Sequence, residues 1–274
     1  MRVLAAVAAF TLVGCTASGG HAGGTGKRWQ QEFAMAACMA DRGFKYRPSV
    51  PAFTPSAEVL RRADGHYPSL LKYRQKYGYT VFSGHVYPTT EEAAGVDVPP
   101  HIPNEKYIEA LSPSQQVAYR EADRVCYTRA IKAVFGKDVT GMEDLHRQHA
   151  RAHQALDERE FDNDPELVAL AHDYAVCLRS KGYPVPTEKP GRIGTLEQDR
   201  FLGKLWELGR RQYPDATPDL PVMPRLTPDE ARPYLREEIT SALDDLECGK
   251  AFFSAFNPRH RAASARLQEE WGLS

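Results

Sequence analysis

Three histidines offer the most direct chemistry in this chain. His146, His149 and His153 stand at i, i+3 and i+7 of a segment that reads as helix, so they share nearly one face. Neutral imidazole is a good ligand for zinc, copper or nickel. The segment is not a zincin helix, because Ala150 follows His149 where that motif needs its glutamate base. A second pattern runs through the same residues. Met142, Leu145, His149, Ala152 and Leu156 form a heptad-like stripe, which would put His149 at a helix seam with His146 and His153 at its rim. The His146/His149/His153 face is therefore a metal-binding alternative, and no other motif calls for a cofactor.

Tyr67, Tyr73, Tyr77, Tyr79, Phe82 and Tyr87 crowd one stretch. Exposed, Tyr73, Tyr77, Tyr79 and Tyr87 would offer flat faces and hydroxyls to a sugar or peptide; buried, they would form the core of a region poor in Leu and Ile. Asp162-Asn163-Asp164 lacks the glycine and terminal glutamate of a calcium loop, and Asp164 before Pro165 is better read as a helix N-cap. Gly24-Thr25-Gly26-Lys27 is no phosphate loop, since His21 and Arg28 occupy the positions of its first glycine and its Ser/Thr. No G-x-S-x-G elbow and no β-lactamase or penicillin-binding-protein motif is present. Catalytic residues are accordingly not assigned. A hydrolase of unknown class stays as an alternative, which would need a nucleophile beside a base.

The elements that must position these residues follow an unusual start. Met1 and Arg2 open a leader in which Val3 to Val13 is almost wholly apolar, too short to span a bilayer and suited to a secretory signal. It ends in Leu12-Val13-Gly14-Cys15, which resembles the lipobox of bacterial lipoproteins. The resemblance implies cleavage before Cys15 and diacylglycerol on its sulfur. Thr16 to Gly26 is rich in Gly, Ser and Thr and reads as a flexible tether. Removal of the leader leaves about 260 residues, enough for one large or two small domains. The net charge of −1 recommends no nucleic-acid partner.

Beyond Cys15 stand four cysteines, Cys38, Cys126, Cys177 and Cys248. In an exported chain they point to two disulfides, with three pairings open to spacing alone. An internal repeat narrows the choice. Ala37-Cys38-Met39-Ala40-Asp41-Arg42-Gly43-Phe44 parallels Val176-Cys177-Leu178-Arg179-Ser180-Lys181-Gly182-Tyr183: each reads as a helix ended by a left-handed glycine with an aromatic beyond it. Ser112-Pro113-Ser114-Gln115 parallels Thr227-Pro228-Asp229-Glu230 as capping boxes that open cysteine-bearing helices. The cap-to-cysteine distances differ by seven residues, about two turns. Duplicated halves should each keep a bridge, which favours Cys38–Cys126 and Cys177–Cys248.

The expected fold is mainly α: duplicated helical halves, each with one disulfide. Helices are expected near 28–42, 55–64, 67–77, 104–109, 113–135, 141–160, 165–181, 195–212, 228–255 and 258–271. Tyr79–Phe82 and His85–Tyr87 could pair as a small β-hairpin in the first half. The organisation reads as signal peptide 1–14, tether 15–27, first repeat 28–140, exposed linker helix 141–162 and second repeat 163–274. Lipobox, tether and the C-M/L-x-x-x-G-F/Y helix ends together resemble uncharacterised secreted lipoproteins of actinobacteria. The resemblance implies an anchor on the extracytoplasmic face of the membrane and carries no activity with it. The expected role is non-catalytic binding of an envelope protein or small ligand.

Overall fold

A computed structural model describes residues 26–51, 54–90, 93, 104–217 and 221–273. Cys15 and most of the tether lie outside them. The protein is mainly helical, and the described residues contain no strand. The helices are α1 (Lys27–Asp41), α2 (Ala57–Ala63), α3 (Tyr67–Tyr77), α4 (Ser83–Val86), α5 (Glu105–Glu109), α6 (Pro113–Phe135), α7 (Met142–Glu160), α8 (Pro165–Ser180), α9 (Pro190–Ile193), α10 (Leu196–Gln212), α11 (Pro228–Cys248) and α12 (Lys250–Trp271).

Local chemistry sets the helix ends. Ser112 and Thr227 form full capping boxes with Gln115 and Glu230. Asp164 caps α8 by accepting from the Leu167 amide. The two cysteine helices stop alike. Gly43 and Gly182 both take positive φ, 80° and 87°, and beyond them the Phe44 and Tyr183 amides return to the Met39 and Leu178 carbonyls at 3.0 Å. Disulfides join Cys38 to Cys126 and Cys177 to Cys248.

Three expectations change. The segment 79–87 is not a β-hairpin but a run of turns leading into α4. The break expected between 255 and 258 falls instead at Gly249, and α12 runs on through Pro258. A Cβ at Gly249 would lie 2.5 Å from the Phe253 ring, so the chain passes close to that ring at the junction. The linker helix α7 is not wholly exposed, since Leu145 and Leu156 are buried.

The core is a row of clusters rather than one ball. Met35, Met39, Tyr119 and Ala122 pack α1 on α6. Ile131, Leu145 and Trp271 bring the end of α12 to α6 and α7. Ala171, Tyr174, Leu246 and Phe252 join α8, α11 and α12. Val81, Phe82, Phe201 and Leu235 join α4 to α10 and α11. Segment 57–87 thus packs largely on α11 and α12.

Two carboxylates of α11 hold that segment. Glu238 is fully buried and accepts from the amides of Tyr79 and Val81 on Oε1, at 2.7 and 2.9 Å, and of Phe82 on Oε2, at 2.9 Å. Gly78 (φ 59°) makes room, because a Cβ there would meet the Glu238 side chain at 2.8 Å. Seven residues on, Asp245 pairs with Arg74 at 2.6 Å and accepts from the Tyr174 hydroxyl. Burial, opposed by the amide donors, pushes the Glu238 carboxyl up to about 7.

Two outcomes are expected. In the chain-entropy account a closed loop of this length stabilises by about 4 kcal/mol, with weak dependence on length. Urea unfolding of the Cys38→Ser/Cys126→Ser and Cys177→Ser/Cys248→Ser variants should therefore show similar losses. For Glu238, the folded state keeps a proton that the unfolded chain releases near 4.5, so its contribution favours folding below that pH and is lost as pH rises towards about 7. The loss is about 3 kcal/mol. The difference in unfolding free energy between wild type and Glu238→Gln, measured across that window, should carry this slope.

Candidate functional site

The disulfide-tied pair α1 and α6 forms the floor of a cleft of about 640 Å³. Residues 46–51, the start of α7 and the chain end at Gly272 and Leu273 wall it. Helical spacing supplies the lining. Arg28, Glu32, Met35 and Met39 fall at i, i+4, i+7 and i+11 of α1, and Tyr119, Asp123 and Tyr127 at i, i+4 and i+8 of α6. The inner half of each stripe is apolar and builds core; the other members turn polar and open the cleft.

Glu32 is buried, and its Oε2 accepts from the Tyr46 hydroxyl and the Ser49 amide, both at 3.0 Å. Those bonds dock residues 46–49 on α1. Asp123 has neither hydrogen bond nor ion pair among the described residues, and burial, with the Glu32 charge beside it, raises its carboxyl above the usual range. Burial together with these carboxylates raises the Tyr46 hydroxyl, and pushes Tyr119 up to about 12 by burial first and Asp123 second. Arg28 donates from Nη1 to Gln31 and to the Gly272 carbonyl, while its buried Nε has no partner among the described residues. His146 and Met142 stand at the rim. The cleft thus carries the carboxylates of Glu32 and Asp123, three phenol rings and the guanidinium groups of Arg28 and Arg120, a set that suits a small ligand with a positive centre and an acceptor end.

The tyrosines singled out by sequence do not form a platform. Tyr77 and Tyr79 are buried. Tyr77 packs against Tyr73 and Tyr87, with ring centroids 5.1 and 6.0 Å away, and Tyr79 lies 6.0 Å from Phe201. The amide bonds to Glu238 draw this stretch into the core.

The histidine face does not close on one point either. His146 belongs to the cleft rim. His149 lies edge-on to Trp271 at 5.9 Å; its Nε2 is buried without a partner among the described residues, and burial lowers its pKa. Only His153 of the three joins other ligand-type side chains, namely Asp157 and His260. A helix presents side chains 100° apart per residue, so i, i+3 and i+7 fan out enough for different neighbours to claim each one. Asp162 accepts from the Gly191 amide and Asp164 caps α8, so both carboxylates have local tasks.

The chain matches no family model, no curated protein and no solved structure. The cleft was not among the sites expected from sequence. The available signal was Tyr119-x3-Asp123-x3-Tyr127, a polar stripe beside the cysteine.

Ionised Asp123 is disfavoured in the folded state, so Asp123→Asn should raise Tm at pH 7 and change it little at about pH 2, where the carboxyl is protonated folded and unfolded alike. Scanning calorimetry at the two pH values checks this; a fall in Tm at pH 7 would show an ion pair holding Asp123.

Proposed function

We propose that this chain is a lipid-anchored protein of the extracytoplasmic membrane face that binds a small ammonium-bearing ligand in the α1/α6/α7 cleft. The observation that carries the reading is Asp123, without a partner among the described residues, beside Glu32 and between Tyr119 and Tyr127. A half-buried carboxylate without a partner gives up part of its hydration, and an ammonium group supplies the missing charge while phenol faces favour it further. The guanidinium groups of Arg28 and Arg120 also line the cleft and suit the acceptor end of a zwitterion. Binding is favoured over turnover because Glu32 is committed to holding Tyr46 and Ser49 in place.

Support for the compartment comes from the leader ending in Cys15 and from the two disulfides, which persist in oxidising surroundings. No described helix is long and apolar enough to cross a membrane, so attachment in this reading falls to acyl chains on Cys15. The reading also takes the chain as a duplication of one unit, a cysteine helix ended by glycine and bridged to a helix opened by a capping box. Its support is the matched geometry at Gly43 and Gly182 and the two bridges.

Titration calorimetry of the full chain with choline, glycine betaine, putrescine and glycine tests the ligand class. Saturable binding of at least one, weakened by Asp123→Asn and by Glu32→Gln, is expected; heat absent from all four overturns the class. Mass spectrometry of the membrane-extracted protein should find diacylglycerol on Cys15, and Cys15→Ala should leave the membrane fraction.

A further inference from the structure

A second cluster lies outside the cleft. Helix α7 presents His153 and Asp157 at i and i+4, and α12 brings His260 against them. His153 Nδ1 is 3.4 Å from Asp157 Oδ2, and His260 Nε2 is 3.1 Å from Asp157 Oδ1. One ligand atom from each of the three residues lies within 4.8 Å of the others. All three side chains are partly buried, with 29, 13 and 26% of their surface exposed.

These separations suit a metal. Bonds of about 2.1 Å in a tetrahedral shell place neighbouring ligand atoms about 3.4 Å apart. Each imidazole already stands near that distance from an oxygen of Asp157, His153 from Oδ2 and His260 from Oδ1, so one carboxylate oxygen has to move between the two rings to complete the shell. The rings are also held from behind. His153 Nε2 meets Ser264 Oγ at 3.0 Å, which turns Nδ1 towards Asp157. His260 stacks on Phe256 at 4.7 Å and lies 5.5 Å from Phe161. Outer contacts of this kind fix ligand orientation in metal sites. Gly191 leaves the space, since a Cβ there would meet Asp157 at 2.7 Å. A groove of about 410 Å³ with Gln154, Glu158, Asp162 and Arg192 opens beside His153 and Asp157 and gives access to a fourth, solvent-held position.

We propose that His153, Asp157 and His260 bind one divalent late transition metal, zinc foremost, with a fourth coordination position open to the groove. Two imidazoles and one carboxylate match the borderline softness of zinc and exclude magnesium or calcium, which prefer all-oxygen shells. The site shares no residue with the cleft proposed above, so the two readings stand or fall separately.

The test uses the full chain without a polyhistidine tag, stripped with EDTA. Calorimetric titration with zinc sulfate and visible spectra with cobalt(II) should both give one saturable equivalent, the cobalt form showing the intense bands of a four-coordinate ion. His153→Ala and His260→Phe should each weaken zinc by at least about tenfold. Phe at 260 keeps the ring stack, and far-UV circular dichroism confirms folding. His146→Ala and His149→Ala should bind as wild type. Absence of saturable uptake by the wild type overturns the site, and so does wild-type affinity in His260→Phe. Equal loss in His149→Ala would also overturn it, by returning the metal to the face of α7 alone.

Discussion

Two carboxyl groups buried on one face of α11 constrain everything around them. Glu238 and Asp245 lie two turns apart and are almost inaccessible to water. A carboxylate in such a place is tolerated only when donors surround it, and these donors come from far away in sequence. Three amides of 79–82 serve Glu238. Arg74 and the Tyr174 hydroxyl serve Asp245, with Arg74 also donating to the Ala242 carbonyl and lying over the Tyr79 and Phe253 rings. The segment from α3 to α4 is thereby fixed to the second half of the chain. A chain read as two consecutive halves becomes interleaved in space.

That interleaving leaves α1 and α6 as a partly separate pair. A disulfide ties them, Met35, Met39 and Tyr119 pack them, and the end of α12 touches them through Trp271 and the Arg28 bond to Gly272. The cleft sits where this pair meets α7 and the chain end, at a seam between clusters rather than inside one. Polar groups can line such a seam at modest cost because water reaches it. The His153 group occupies a comparable seam between α7 and α12, where Asp157 and His153 meet His260 from 103 and 107 positions away in sequence.

Much of the helical plan was legible. Capping boxes at Ser112 and Thr227, the N-cap at Asp164 and the glycine stops at Gly43 and Gly182 are local devices, decided by hydrogen bonds within a few residues. The two bridges are the pairing that the matched cysteine motifs favoured among three. Less legible was 79–87, where alternating aromatic and β-branched residues read as a hairpin. Strand propensity reflects a fit to a half-buried pleated surface, and here the amides found a carboxylate instead of a partner strand.

The amino-acid sequence by itself determined most of the long helices, their caps and the likeness of the two cysteine helix ends, because each depends on neighbours a few residues away. It also marked His153 as ligand-type and Asp164 as a cap. Only the tertiary structure decided which imidazole meets which carboxylate, that Tyr77 and Tyr79 go inward, and that Glu32 and Asp123 face one cleft. Those choices depend on which helix faces come together, and helix faces are matched by packing and buried charge over long separations that no local pattern encodes.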